Sequence, residues 1–250
     1  MKTTTRWMLA ALMACGSLTA QAQVMKASDL EVYAKKRYGD KWLDAALNLS
    51  QGLNFDKNQS LTYQEVIEAQ GKTKEQLYVA LNYWATATFK DKQAITLNDK
   101  DAGCIIISSS IDGIADHTGT VNRYVVSITP IIRLDIKEGR VRVTYTVQNY
   151  DILKVEDAGW LGMLADNSDN RQSHQNISSD GKRMKDDKTD RRLYDEQWEI
   201  VKHYPFVEKD SQKRTCAKAL VMTHAYSNAI LDKVGEAIRN GLVGNEDDDW

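Results

Sequence analysis

The sequence predicts an α+β fold in which helices back an antiparallel sheet. Three observations predict it. A two-residue turn at Glu138-Gly139 would pair Ile136 with Val141, Leu134 with Val143 and Ile132 with Tyr145, all apolar and on one face. The same register sets Asp135 opposite Arg142 on the other face, so one alignment sorts both faces of a hairpin. The second observation is a pair of capping signatures, Ser28 with Glu31 and Thr73 with Gln76, each followed by apolar residues at helical spacing. The third is Cys104-Ile105-Ile106-Ile107, apolar on both faces as a central strand is.

The chain opens on Lys2 and Arg6, an apolar run from Trp7 to Ala14, and then Ala20-Gln21-Ala22 before Gln23. A basic start, a short apolar stretch and small residues at the cleavage positions are expected of a secretory signal peptide over residues 1–22, cut between Ala22 and Gln23. Leu12-Met13-Ala14-Cys15 offers a competing cleavage that would lipidate Cys15. No later stretch approaches the roughly 20 apolar residues of a membrane span. The expected location is therefore the periplasm or cell envelope, without a transmembrane segment.

The whole chain has 33 basic against 35 acidic residues. Cleavage removes two of the basic ones, and nothing gathers the remainder into the basic face that nucleic acid requires. The mature chain of about 228 residues is enough for one core. It holds only two prolines, and no linker composition divides it.

Residues 23–60 read as an N-terminal helix and linker. Leu30, Ala34, Tyr38, Trp42, Ala46 and Leu49 form the stripe of a helix from Ser28 to Leu49, with Gly39 a point of kinking or breakage. Residues 61–151 read as the core: a strand from Leu61 to Glu68, a helix after Thr73, strands at 94–98 and 104–110 around a turn ending in Gly103, then the hairpin. Pro130 has no N–H for a ladder and marks an edge, bulge or bend. Residues 152–210 read as an excursion, polar and aperiodic from Asp166 to Arg192. Residues 211–250 read as a helix packed on the core, with Cys216, Leu220, His224, Ser227, Leu231, Val234 and Ile238 on one stripe, and then an acidic tail.

Several stretches together resemble a known family: Gly71-Lys72-Thr73-Lys74-Glu75-Gln76-Leu77-Tyr78, Trp84 with Phe89, Asn98-Asp99-Lys100-Asp101-Ala102-Gly103, and the paired strands through Val147. The family is one of uncharacterised exported proteins of Bacteroides-like bacteria, a domain of unknown function with a TATA-binding-protein-like fold. The resemblance covers roughly Leu61 to Asp151. It implies a β-α-β4-α arrangement, to which the N-terminal helix is an addition. It implies no activity.

Candidate sites are few. Asp56 to Glu65 alternates oxygen side chains like a calcium loop, but Leu61 stands where the glycine belongs and Ile67 where the bidentate acid belongs. It is expected to be a polar turn into a strand. Asp116 and His117, in an expected loop, are the one pair placed for general acid–base work, without a recognisable nucleophile. His224 is expected as a core or boundary residue. Cys104 and Cys216 either bridge the sheet to the last helix or remain separate thiols. No metal spacing and no cofactor motif is present. The expectation is thus a non-catalytic binding or structural module, whose partner would be an envelope protein. The alternatives are a carrier of an apolar molecule between the sheet and the C-terminal helix, or an enzyme using Asp116 and His117.

Overall fold

The structure is a computed structural model that describes residues 24–89, 91, 93–118, 122–157, 191–203 and 211–240. The expected leader with Cys15 and the Ala22–Gln23 junction lies outside the described residues. So do most of the 152–210 excursion and the acidic tail.

The N-terminal helix is two helices, α1 (Ala27–Tyr38) and α2 (Trp42–Ser50). Gly39 separates them at φ 87°, a conformation that a residue with Cβ adopts only at a cost. The expected Ser28–Glu31 capping box does not form. Lys26 holds the cap position without a side-chain bond. The Glu31 carboxylate turns instead to Lys35, one helical turn on, at 2.6 Å.

The core follows as β1 (Leu61–Glu68), α3 (Lys74–Thr88), β2 (Ile95–Asp99), β3 (Cys104–Ser108), β4 (Ile111–Thr118), β5 (Asn122–Ile128), β6 (Ile131–Lys137), β7 (Arg140–Val147), β8 (Asn149–Asp157), β9 (Arg191–Glu199) and α4 (Ser211–Asn240). At the start of α3 the capping box does form: Thr73 Oγ1 accepts from Gln76 N at 3.2 Å, and Thr73 N donates to Gln76 Oε1 at 3.0 Å.

All strand pairs are antiparallel, in two ladders ordered β1-β7-β6-β3-β2 and β4-β5-β8-β9. Three strands of the first ladder run directly into three of the second. β3 reaches β4 through Ser109-Ser110, β5 reaches β6 through Thr129-Pro130, and β7 reaches β8 through Gln148. The ladders are therefore halves of one sheet bent along a line that Pro130 helps to draw. Tyr124, Val126, Ile128, Pro130, Ile132, Leu134 and Ile136 are all buried, so one face stays inward across the bend. The hairpin register is as the sequence predicts, Ile132↔Tyr145, Leu134↔Val143, Ile136↔Val141 and Asp135↔Arg142.

Two corrections follow from this topology. Asp116 and His117 lie on β4, not in a loop. The strand escapes its alternation because a bulge between Ile111 and Ala115 buries both Ile114 and Ala115. Within the excursion, Ile152–Asp157 completes β8 and Arg191–Glu199 pairs with it as β9. β9 is a charged edge strand whose Trp198 is buried, which leaves almost no period-2 signal.

The cysteines are not bridged. Cys104 pairs with Asp135, while its neighbour Ile105 pairs with the buried Leu134. Cys104 therefore lies on the outer face of the sheet and Cys216, buried in α4, on the inner side. A bridge between them would have to pass through the sheet.

α4 packs on β4 and β5 on one side and on α1, α2 and α3 on others. It is buried nearly all round from Thr215 to Ile230, where Ala217, Ala219, Ala225 and Ala229 let its neighbours approach. Its predicted single stripe is thus narrower than the surface it buries.

Candidate functional site

One cleft among the described residues brings the chemistry-bearing side chains together. Its volume is about 540 Å³, and it is lined by Lys41, Trp42, Leu43 and Asp44 from the start of α2, Asp116, His117 and Thr118 from the end of β4, and Lys218 from α4. The break at Gly39 positions it, because a continuous helix would carry Trp42 away in register with α1.

Lys218 organises the cleft. Its Nζ donates to Asp116 Oδ1 at 3.0 Å and lies 3.1 Å from Glu31 Oε2. The same ammonium stands 5.8 Å from the Trp42 ring centroid, and Lys35 Nζ stands 5.7 Å from it. Burial opposes the charge on Lys218, but Asp116 and Glu31 hold its pKa above the ordinary lysine value. The hydrogen bond from Lys218 lowers the Asp116 pKa against the effect of burial, with Arg123 assisting. Glu31 is lowered first by Lys35, then by Lys218. Three elements are thereby tied at one ammonium.

Asp116 and His117 both border this cleft, yet they are successive residues on a strand and leave it on opposite faces. No hydrogen bond joins them among the described residues. Asp116, its charge committed to Lys218, is a poor proton acceptor at neutral pH. The sequence does not single out Lys218, Trp42 or Glu31 as a site; only the α1–α2 break hints that Trp42 leaves the first helix's stripe.

His224 sits at the boundary of the interior, its ring 5.3 Å from Tyr38 and 5.0 Å from Tyr63 by centroids. Burial, with Arg37 nearby, lowers its pKa to about 4. In the calcium-like loop, Asp56 Oδ1 accepts from the backbone N–H of Asn58 at 2.8 Å and of Ser60 at 2.9 Å, an Asx turn leading into β1. Among the described residues no three His, Cys, Asp or Glu side chains gather as metal ligands. No helix among them is long and apolar enough to cross a membrane.

Three of the stretches that carry the family resemblance meet: the start of α3, the β2–β3 turn and the β6–β7 hairpin. Lys74 N donates to Glu138 Oε2 at 3.0 Å, and Lys74 Nζ to the Asp101 carbonyl at 2.6 Å. Tyr78 Oη bonds Asn98 Oδ1. Ile136 N donates to the Gly103 carbonyl at 2.7 Å, and Gly139 N to that of Lys72 at 3.1 Å. Residues 63–151 match the family described as a domain of unknown function (DUF4468) with TBP-like fold. Over that segment the chain is similar to DUF4468 domains. In the DUF4468-like segment those motif residues interlock three turns, which is a structural task.

Among solved structures, a TBP-like protein from Parabacteroides distasonis shares 13% identity with a TM-score of 0.44, over 75% of this chain and 97% of that one. A DUF4468 family protein from Bacteroides ovatus shares 13% with a TM-score of 0.32, over 40% of this chain and 58% of its own. No curated protein matches the chain. The α1–α2 pair and α4, which build two walls of the cleft, lie outside the DUF4468 match.

Proposed function

We propose that this chain is an exported, non-catalytic binding module of the cell envelope, and that its partner seats in the α2–β4–α4 cleft. The cleft itself is the observation that carries the reading. Its volume of about 540 Å³ falls in the range of ligand-binding pockets, roughly 300–1,000 Å³. Trp42 and Leu43 supply apolar surface, and the lining holds two cations, Lys41 and Lys218, and two carboxylates, Asp44 and Asp116, so its charges balance. That balance suits an uncharged or zwitterionic group with an apolar part. Trp42 is the expected anchor, because large aromatic side chains dominate such contacts.

The alternative of an apolar carrier between sheet and last helix is less favoured. Ile105, Ile107, Leu220 and Val221 are fully buried where that groove would run.

Native mass spectrometry of the protein purified from its own envelope tests the reading. It is expected to show a bound species with the wild type, lost with Trp42→Ala, while the mature chain begins at Gln23 or at a lipidated Cys15. An intact leader, or a bound species indifferent to Trp42, contradicts it.

A further inference from the structure

A second polar locus lies away from the cleft, inside the bend of the sheet. Tyr63 pairs with Tyr145 across β1 and β7, ring centroids 6.1 Å apart. Tyr150 follows on β8, just beyond the irregularity at Gln148. α4 lays Thr223 and His224 against them. Tyr145, Tyr150 and Thr223 are at most 1% exposed. The phenol oxygens of Tyr63, Tyr145 and Tyr150, Thr223 Oγ1 and His224 Nδ1 are all buried, and none has a hydrogen-bond partner among the described residues.

Native interiors pair nearly all such atoms, and an unpaired one is costly. Five in one interface call for a common partner. The groups are mutually close: Tyr63 and Tyr150 both bear on the ionisation of Tyr145, and the Thr223 hydroxyl lies beside that of Tyr150 without meeting it in hydrogen-bond geometry.

We propose that a small cluster of internal water molecules bridges Tyr63, Tyr145, Tyr150, Thr223 and His224, and so fastens α4 to the inside of the bent sheet. Water fits because each hydroxyl both donates and accepts and the imidazole nitrogen does one or the other, while a buried water makes two to four such bonds. A cation is disfavoured, since the charged neighbour felt by His224 is Arg37 at the outer edge of the group. The outer edge of the group is His224 beside the half-buried Tyr38, whose Oη accepts from Asn228 Nδ2 at 2.6 Å.

The test uses the full mature chain. Water-to-protein NOEs are expected at the ring protons of Tyr145 and Tyr150 and at the Thr223 methyl. Tyr145→Phe and Tyr150→Phe, each removing one bridged hydroxyl, are expected to lower Tm by a few degrees. Missing NOEs in the wild type overturn the proposal, and so does a rise in Tm in either variant, which is what removing an unpaired hydroxyl would produce. A tightly bound organic mass released only on denaturation overturns it too. If a variant does not fold, the wild-type NOEs alone decide.

Discussion

Lys218 shows how a single side chain can join three parts of this chain. Its two carboxylate partners are partly exposed, with side chains 50% (Asp116) and 31% (Glu31) accessible, so solvent screening limits what each pair contributes. Lys218→Met is expected to cost on the order of 1 kcal/mol, a fall in Tm of about 2–4 °C for a chain this size. Because the folded-state pKa values of Asp116 and Glu31 are depressed, that stabilisation is present above the unfolded carboxylate pKa and is lost as pH falls through the lowered values. Thermal melts should therefore show the wild-type advantage at neutral pH, less of it in high salt, and progressively less as pH falls through the lowered carboxylate pKa values.

His224 acts in a higher window. Its pKa falls from 6.5 to about 4 in the folded state, so between those values the unfolded chain binds the extra proton. Stability is complete above pH 6.5 and declines as pH falls towards 4. His224→Gln is expected to flatten that slope in urea titrations at several pH values; an unchanged slope would contradict the assignment. The sequence places His224 correctly at the interior boundary from its position on a helical stripe. It cannot show that Tyr38 and Tyr63 flank the ring, because they come from distant segments. It likewise names Asp116 but not its partner, which stands 102 residues away.

At the scale of elements, the most legible features are local ones. The Thr73–Gln76 cap and the Glu138-Gly139 hairpin are each specified within a few residues, and the structure forms both. Thr73→Ala is expected to cost about 1 kcal/mol, measurable by urea denaturation. The Ser28–Glu31 pattern has the same spacing but fails: the helix starts earlier, at Ala27 with Lys26 at the cap position, and Glu31 pairs with Lys35 and Lys218. Two turn glycines differ in what surrounds them. Gly139, at φ 67°, has open space where a Cβ would stand, whereas at Gly103, φ 68°, a Cβ would come within 2.6 Å of the Ile136 carbonyl oxygen and 2.5 Å of Lys74 Cε. Gly139→Ala should cost about 1 kcal/mol from the backbone alone, and Gly103→Ala distinctly more. Equal costs would contradict the interlocked turns. β4, β8 and β9 are the illegible strands. A bulge, a break at Gln148 and a charged edge each disturb the alternation from which strands are read.

At the scale of the molecule, the sequence reading has one sheet face buried beneath helices, and the structure agrees from Tyr124 to Val147. A bend at Pro130 is one of three readings the sequence offers there; what it lacks is that three strands break in step along the same line. The all-round burial of α4 is also hidden, since it depends on α1 and α2 covering the side away from the sheet. The alternation of β3 puts Cys104 on the outer face of the sheet while Cys216 lies on the inner side, so adding a reductant should leave Tm unchanged, and both thiols should be alkylated in denaturant without prior reduction.

The architecture stands on α4 being sealed between the bent sheet and the N-terminal helices. Hydrogen–deuterium exchange of the mature chain measures this most directly. The slowest amides should include those of β3, β6 and β7 together with the stretch from Thr215 to Ile230 in α4, opening as one cooperative unit. Rapid exchange throughout that stretch of α4 while the strands stay protected would show a helix that does not seal the core, and would contradict the account.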